Sequence, residues 1–267
     1  YMSLKIVVLA KQVPDTRNVG KDAMTAEGTV NRAALPAIFN PEDLNALEQA
    51  LRLKEQNPGS TVGVLTMGPP RAGEIIRQGL YRGADTGWLL TDRLFAGADT
   101  LATSYALATA IKKIGNVDVV IGGRQAIDGD TAQVGPQIAT ELGIPQITYA
   151  AEINVDGTTV RVKQQNEEGY IVTEAQFPVL ITAVKELNEP RFPTIRGTMK
   201  AKKREIPHLS ADDIKVDETK IGLKGSPTMV RKIFTPPQRT QGLVIKEEDP
   251  NAAVSVLMEK LTAQKII

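Results

Sequence analysis

The 267-residue chain contains no cysteine, so disulfides, thiolate metal sites and cysteine nucleophiles are excluded. Its one histidine is His208, which argues against a histidine-built metal centre and against a Ser-His-Asp triad. An excess of one charge is missing too. Thirty-two Lys and Arg face 31 Asp and Glu, for a formal net charge of +1. A nucleic-acid-binding domain is expected to be basic overall, so no nucleic-acid partner is expected and any basic patch must be local. No apolar run approaches the ~20 residues of a membrane span. "LKIVVLA" (4–10) lacks a small-residue cleavage site and reads as a strand, not a signal sequence. Neither the dinucleotide G-x-G-x-x-G nor the P-loop G-x-x-x-x-G-K-[ST] occurs. A soluble cytoplasmic protein is expected.

What is present is an alternation. The apolar run 4–10 is followed, after a polar excursion, by "NPEDLNALEQALRLKE" (40–55), a helix with Asn40 as N-cap and Pro41 at the first position. Glu42 and Asp43 then sit where the helix dipole favours anions. "TVGVLTMG" (61–68), "TGWLLT" (86–91), "VDVVIGG" (117–123) and "QITYA" (146–150) read as further strands. Helices over 71–83, 97–115 and up to about Gly143 separate them, the second with Leu101, Tyr105, Ala108 and Ile111 on one face. Such alternation predicts an α/β fold, a mostly parallel sheet with helices on both faces. After residue 150 the period drops to two, and 151–165 and 169–184 read as antiparallel strands around turns at Asp156-Gly157 and Glu168-Gly169. Beyond about residue 188 prolines and charges dominate, and only 251–264 is helical in pattern. This divides the chain into a domain over 1–187 and an extension over 188–267 with little core of its own. Such an extension wraps its own domain or embraces a partner.

The most informative stretch is "RQAIDGDTAQVGPQ" (124–137), directly after an apolar strand. At the carboxyl ends of parallel strands, loops enter helix N-termini whose free N–H groups attract anions. Gly129 permits close approach or positive φ, Asp128 and Asp130 can cap a helix or hold a ribose hydroxyl, and Pro136 suits a first turn starting near Val134. Alone, the stretch is equally a capped strand-to-helix loop. "AKQVPDT" (10–16), "TMGPP" (66–70) and "TDRLFAGADT" (91–100) end neighbouring strands with similar residues, so the sheet edge could hold a nucleotide. "MKAKKRE" (199–205) is either a solvated charge run or a patch that steers an acidic partner. His208 reads as a surface residue and Trp88 as core.

Read together, "NPEDLNALEQALRLKE", "VLTMGPP", "GRQAIDGDTAQVGPQIATELGIPQITY", "ELNEPRFPTIRGTMKAKK" and "PPQRTQG" resemble the beta subunit of electron transfer flavoprotein, in order and over nearly the whole chain. One strand pair departs from the family pattern, with glutamines and Asn166 in "VRVKQQNEEGY". The resemblance implies a Rossmann-like domain of the adenine nucleotide alpha hydrolase-like type. It also implies a heterodimer with an alpha subunit, and a C-terminal arm that reaches around that partner. It implies an adenine nucleotide in beta: AMP in simple electron-shuttling members, FAD in electron-bifurcating ones. "TVNRAALPAIFNPED" (29–43), "FAGADTLATS" (95–104) and "GLKGSPT" (222–228) look like the bifurcating type, which favours FAD with NADH as donor. Ferredoxin or flavodoxin and a CoA-ester dehydrogenase are then the acceptors. Carried over by position, the nucleotide contacts would be Leu9, Asn40, Pro41, Glu42, Asp43 and Met67. The main cradle would be Ala126, Ile127, Asp128, Gly129, Asp130, Thr131, Ala132, Gln133, Val134, Gly135, Pro136 and Gln137. N–H groups around Asp130 to Val134 would hold phosphate, with Asp128 and Gln133 as polar anchors. Residues 186–203 match the loop that docks acyl-CoA dehydrogenases, with Ile195 as apolar anchor and Lys200, Lys202 and Lys203 as steering charges. No catalytic acid–base pair and no metal is implied, because the flavin carries the chemistry. A pyrophosphate-releasing enzyme would need an S-G-G-x-D-S-like or HIGH-like motif, and neither occurs. A stand-alone nucleotide-binding stress protein would not need the long extension.

Overall fold

A computed structural model describes residues 3–15, 36–202, 204–231 and 242–267. By contacts the chain divides into one unit ending at Lys232 and a second over Ile233–Ile267.

The first unit is built on a nine-stranded sheet. Its parallel part contains β1 (Lys5–Leu9), β4 (Thr61–Met67), β5 (Thr86–Leu90), β6 (Val119–Gly123), β10 (Val179–Ala183) and the start of β7 (Gln146–Asp156). Two short strands, β2 (Gln12–Pro14) and β3 (Ala37–Phe39), pair separately and antiparallel. β8 (Thr159–Asn166) and β9 (Gly169–Gln176) extend the edge beyond β7 as an antiparallel meander. At the opposite edge β11 (His208–Leu209) pairs parallel with β5, giving the order β11-β5-β4-β1-β6-β10-β7-β8-β9. This is the expected α/β architecture, a largely parallel sheet with an antiparallel addition.

Helices cover both faces. α1 (Pro41–Gln56) and α2 (Gly73–Arg82) pack on one side, where Ile6, Val8, Leu47, Ile76 and Ile121 have no exposed surface. α3 (Thr100–Ile114) and α4 (Val134–Leu142) cover the other, around Val7, Leu65, Leu107 and Ile138. Burial on both faces is why the central strands read as unbroken apolar runs. Each fully buried Leu or Ile contributes about 1.5–3 kcal/mol. Of the face expected for α3, Ala108 and Ile111 are buried and Tyr105 packs against the same core, but Leu101 is 43 % exposed, and Ala106, Leu107 and Ala110 widen the buried stripe. Asp99 fixes the start of α3 by accepting the N–H groups of Leu101 and Ala102.

Two further corrections concern the second half. "VLITA" does not continue the antiparallel meander. As β10 it inserts between β6 and β7, parallel to both, with all five residues buried. Pro178 breaks the chain between β9 and β10, and a strand whose residues are apolar except Thr182 suits burial on both faces. The segment after 188 is also more structured than its composition suggested. α5 (Ile195–Lys202) packs on α2, the short α6 (Ala211–Ile214) follows β11, and Ala201, Ala211, Ile214 and Ile221 are buried. By contacts the division of the chain falls at 232/233. His208 is exposed and Trp88 half-buried.

The described part of the second unit contains α7 (Pro250–Ala263), capped by Asp249 through the N–H of Asn251. None of its residues is buried. Among the described residues no helix is long and apolar enough to cross a membrane.

Candidate functional site

The loops leaving β1, β4 and β6 and the start of α1 gather at the carboxyl edge of the parallel strands. Leu9 ends β1 beside β6, where a Cβ on Gly122 would lie 3.2 Å from the Leu9 Cβ. Met67 ends β4 one position after Thr66. Asn40, Pro41, Glu42 and Asp43 open α1 against the end of β6. Gly123 makes this approach possible, since a Cβ there would lie 2.6 Å from Asp43 Oδ1.

The polar groups of this helix start serve the loop rather than the helix. Asn40 occupies the N-cap position but its side chain makes no capping bond. Instead its Nδ2 donates to the carbonyl of Gln125 at 2.9 Å, and its Oδ1 accepts the N–H of Ile127 at 3.1 Å. Asn40 is fully buried, so these bonds replace water that cannot reach it. Asp43 ties two strands together, accepting the N–H of Lys11 at 2.8 Å and that of Gly123 at 2.9 Å. Burial pushes its carboxyl up to about 7, against the lowering effect of those donors. Glu42 accepts the N–H of Gln125 at 3.1 Å and pairs with Arg124 at 2.9 Å. Burial raises its pKa also, opposed by Gln125 and Arg124.

The loop itself runs from Arg124 to the start of α4. Lys11 Nζ meets Asp128 Oδ1 at 2.7 Å. The side chains of Gln125 and Asp130 hydrogen-bond each other. Thr100 Oγ1 donates to Gln133 Oε1 at 3.0 Å, and Ser104 Oγ to Gln137 Oε1 at 3.3 Å, linking the loop to α3. Positive φ falls on Asp130 (54°) and Ala132 (53°). It does not fall on Gly129, which has open space around its Cβ position. A left-handed alanine costs about 1–2 kcal/mol, and such strain persists where surrounding structure over-determines it. Gly135 is needed for a different reason: a Cβ there would meet Thr182 Cγ2 at 2.7 Å, so α4 starts tight against β10.

The consequence is a turn whose backbone donors lack protein acceptors. Among the described residues no group accepts from the N–H of Thr131, Ala132, Gln133, Val134 or Gly135. Pro136, next in line, has no N–H to satisfy. Five unpartnered donors at a helix N-terminus, beside the positive end of its dipole, form an anion cradle. Of the residues expected to contact a nucleotide, Ala126 to Gln137 line this turn and Asn40 to Asp43 brace it. Asp128 is already engaged by Lys11 and Gln133 by Thr100. Sequence reasoning passed over Lys11, Arg124 and Gln125 as individuals. Their signal was position, the residues directly after β1 and β6.

Comparison with known proteins settles the family. Residues 27–214 match the family described as Electron transfer flavoprotein domain. An electron transfer flavoprotein subunit beta from Megasphaera elsdenii is 62% identical over 99% of this chain and 100% of its own length. The chain belongs to the electron transfer flavoprotein beta-subunit family. The Caffeyl-CoA reductase-Etf complex subunit CarD of Acetobacterium woodii is 48% identical over 99% of this chain and 100% of its own. The protein FixA of Azorhizobium caulinodans is 44% identical over 97% and 94%. Members of the family act in electron transfer.

The segment expected to dock a dehydrogenase has its own geometry. Ile195 is 83% exposed at the start of α5, with Phe192 at 89% and Met199 at 70% nearby. Lys202 is exposed. Lys200 lies in α5, and Lys203 lies outside the described residues. Phe192 and Met199 were not singled out from sequence, although both flank Ile195 in the same run.

Proposed function

We propose that this chain is the electron-carrying beta subunit of a heterodimer with an electron transfer flavoprotein alpha subunit, and that it holds FAD at the carboxyl edge of its sheet. The observation that supports the site is the row of free N–H groups from Thr131 to Gly135. Such donors suit the phosphates of an adenine nucleotide, neutralising charge without a lysine or a metal. The backbone of Gln125 and Ile127, held by Asn40, would form the wall next to it. Leu9 and Met67 supply apolar surface at the same edge, and Asp128 and Gln133 supply polar atoms. Flavin, when bound, supplies the redox chemistry. The chain's own residues would bind, orient and shield it.

FAD is preferred to AMP because the segments at 95–104 and 222–228 resemble bifurcating beta subunits. In that reading NADH is the donor, ferredoxin or flavodoxin one acceptor and a CoA-ester dehydrogenase the other, and the protein works in the cytoplasm. A relative named as a subunit of a caffeyl-CoA reductase complex, and another named Acryloyl-CoA reductase electron transfer subunit gamma, support a CoA-ester partner. Ile195, flanked by Lys200, Lys202 and Lys203, would dock that dehydrogenase, and residues 233–267 would wrap alpha. The second reading, a non-bifurcating shuttle, places AMP in the same cradle. Purification with the alpha subunit and quantitation of released nucleotides separates them. Two flavins per heterodimer are expected; one flavin plus one AMP establishes the second reading, and no nucleotide in beta overturns both.

A further inference from the structure

We infer that Arg191 is a positioning residue that clasps the docking segment to α1, holding Phe192, Ile195 and Met199 out as a preformed apolar patch. The inference rests on the docking reading given above. Arg191 donates from Nε to Glu48 Oε2 at 2.7 Å and from Nη2 to Glu48 Oε1 at 3.2 Å. Its backbone N–H reaches the same Glu48 Oε2 at 3.1 Å. The far side of the guanidinium grips Glu55, with Nη1 to Oε1 at 2.5 Å and Nη2 to Oε2 at 3.2 Å. Glu48 is only 4% exposed and is held from the other side by Arg52 at 2.8 Å. One side chain thus fastens the segment to two turns of α1 with a planar fork that lysine cannot reproduce.

Neighbouring contacts pin the chain on both sides of Arg191. Asn45 Nδ2 donates to the carbonyl of Asn188 at 2.6 Å, and Asn188 Nδ2 returns a bond to the carbonyl of Asn45 at 3.1 Å. Arg82 Nε donates to the carbonyl of Arg191 at 3.2 Å. Further along, Gly197 lies so close to α2 that a Cβ would sit 2.4 Å from the carbonyl oxygen of Tyr81, and Ala201 is buried. Between these anchors Phe192, Ile195 and Met199 are large apolar residues left in solvent, at 89%, 83% and 70% exposure. Single exposed apolar residues need no explanation. Three of them on a backbone fixed by a largely buried ion pair do, because a preformed patch avoids the ordering cost of binding.

The test uses the whole heterodimer titrated with a purified short-chain acyl-CoA dehydrogenase, reading electron-transfer rate against dehydrogenase concentration. Arg191→Lys keeps the charge beside Glu48 and loses the fork, so it folds where Arg191→Ala would strand a buried carboxylate. Half-saturation is expected to rise about tenfold, with the limiting rate and bound nucleotide unchanged. Ile195→Asp serves as the reference for docking and should raise half-saturation at least as much. Unchanged half-saturation in Arg191→Lys alongside a clear rise in Ile195→Asp overturns the clasp alone. No effect of Ile195→Asp, or no transfer by the unaltered heterodimer, overturns the docking reading and the clasp with it. A fall in limiting rate or nucleotide content together with half-saturation marks Arg191 as merely structural and also overturns the inference.

Discussion

Asn40 Oδ1 accepts the backbone N–H of Ile127 at 3.1 Å, joining residues 87 positions apart in the chain. Asn40 also donates to Gln125, so one buried side chain holds two peptide groups at the head of the 124–137 loop. Truncation leaves a part-buried N–H and a part-buried carbonyl without their partners, each costing up to about 1–3 kcal/mol. Asn40→Ala should lower unfolding free energy by about 2–4 kcal/mol, as read by denaturant titration. It should also increase loss of bound nucleotide during gel filtration.

The position of Asn40 shows how local reading goes astray. Asparagine before a proline-led helix is the expected N-cap, and the helix does begin at Pro41. The same amide can satisfy a distant peptide group instead, and nothing in the neighbouring sequence distinguishes the two uses. β10 was hidden for a similar reason. "VLITA" follows an antiparallel meander directly, and its place between β6 and β7 depends on a crossover that no local pattern records. By contrast β1, β4, β5 and β6 were legible because burial on both faces demands continuous apolar runs, and α4 because Pro136 suits its first turn. That 124–137 forms a strand-to-helix turn was legible. That Asp130 and Ala132, not Gly129, adopt positive φ was not.

Asp43 should impose a pH dependence on stability. Its carboxyl is raised from 3.8 to about 7 by burial. The folded state therefore holds the proton more tightly than the unfolded one. The associated stability is fully present below about pH 4 and is lost as pH rises toward 7, with a slope approaching about 1.4 kcal/mol per pH unit. Glu42, raised in the same direction, acts alongside. Asp43→Asn isolates the Asp43 part: the stability difference between the unaltered protein and the variant should shrink as pH rises from 4 to 7. A constant difference across that range would mean that Asp43 is ionised throughout.

Gly135→Ala should separate packing from conformational strain. Its Cβ would meet Thr182 Cγ2 at 2.7 Å, so α4 must shift from β10. Overpacking of this kind costs about 1–3 kcal/mol, and the displaced N-terminus should weaken nucleotide binding. Ala132→Gly works in the opposite sense. It removes the left-handed penalty at φ 53°. Stability should rise by up to about 1 kcal/mol, with the cradle donors unchanged. Thermal unfolding of both variants checks the pair.

Ile195→Asp should leave the unfolding midpoint unchanged, since the side chain is 83% exposed. Transfer to an acyl-CoA dehydrogenase should lose about tenfold or more in apparent affinity, as removal of a central apolar anchor does. Stopped-flow traces at several dehydrogenase concentrations resolve this from any change in the limiting rate.

The central claim is that the N–H groups of Thr131 to Gly135 hold the phosphates of an adenine nucleotide. Hydrogen exchange of these amides, measured in the heterodimer before and after rebinding of nucleotide to the stripped protein, tests it directly. Binding should slow exchange at these positions by about tenfold or more, because each open donor gains a partner. Nucleotide that rebinds while these amides exchange as freely as before would contradict the account.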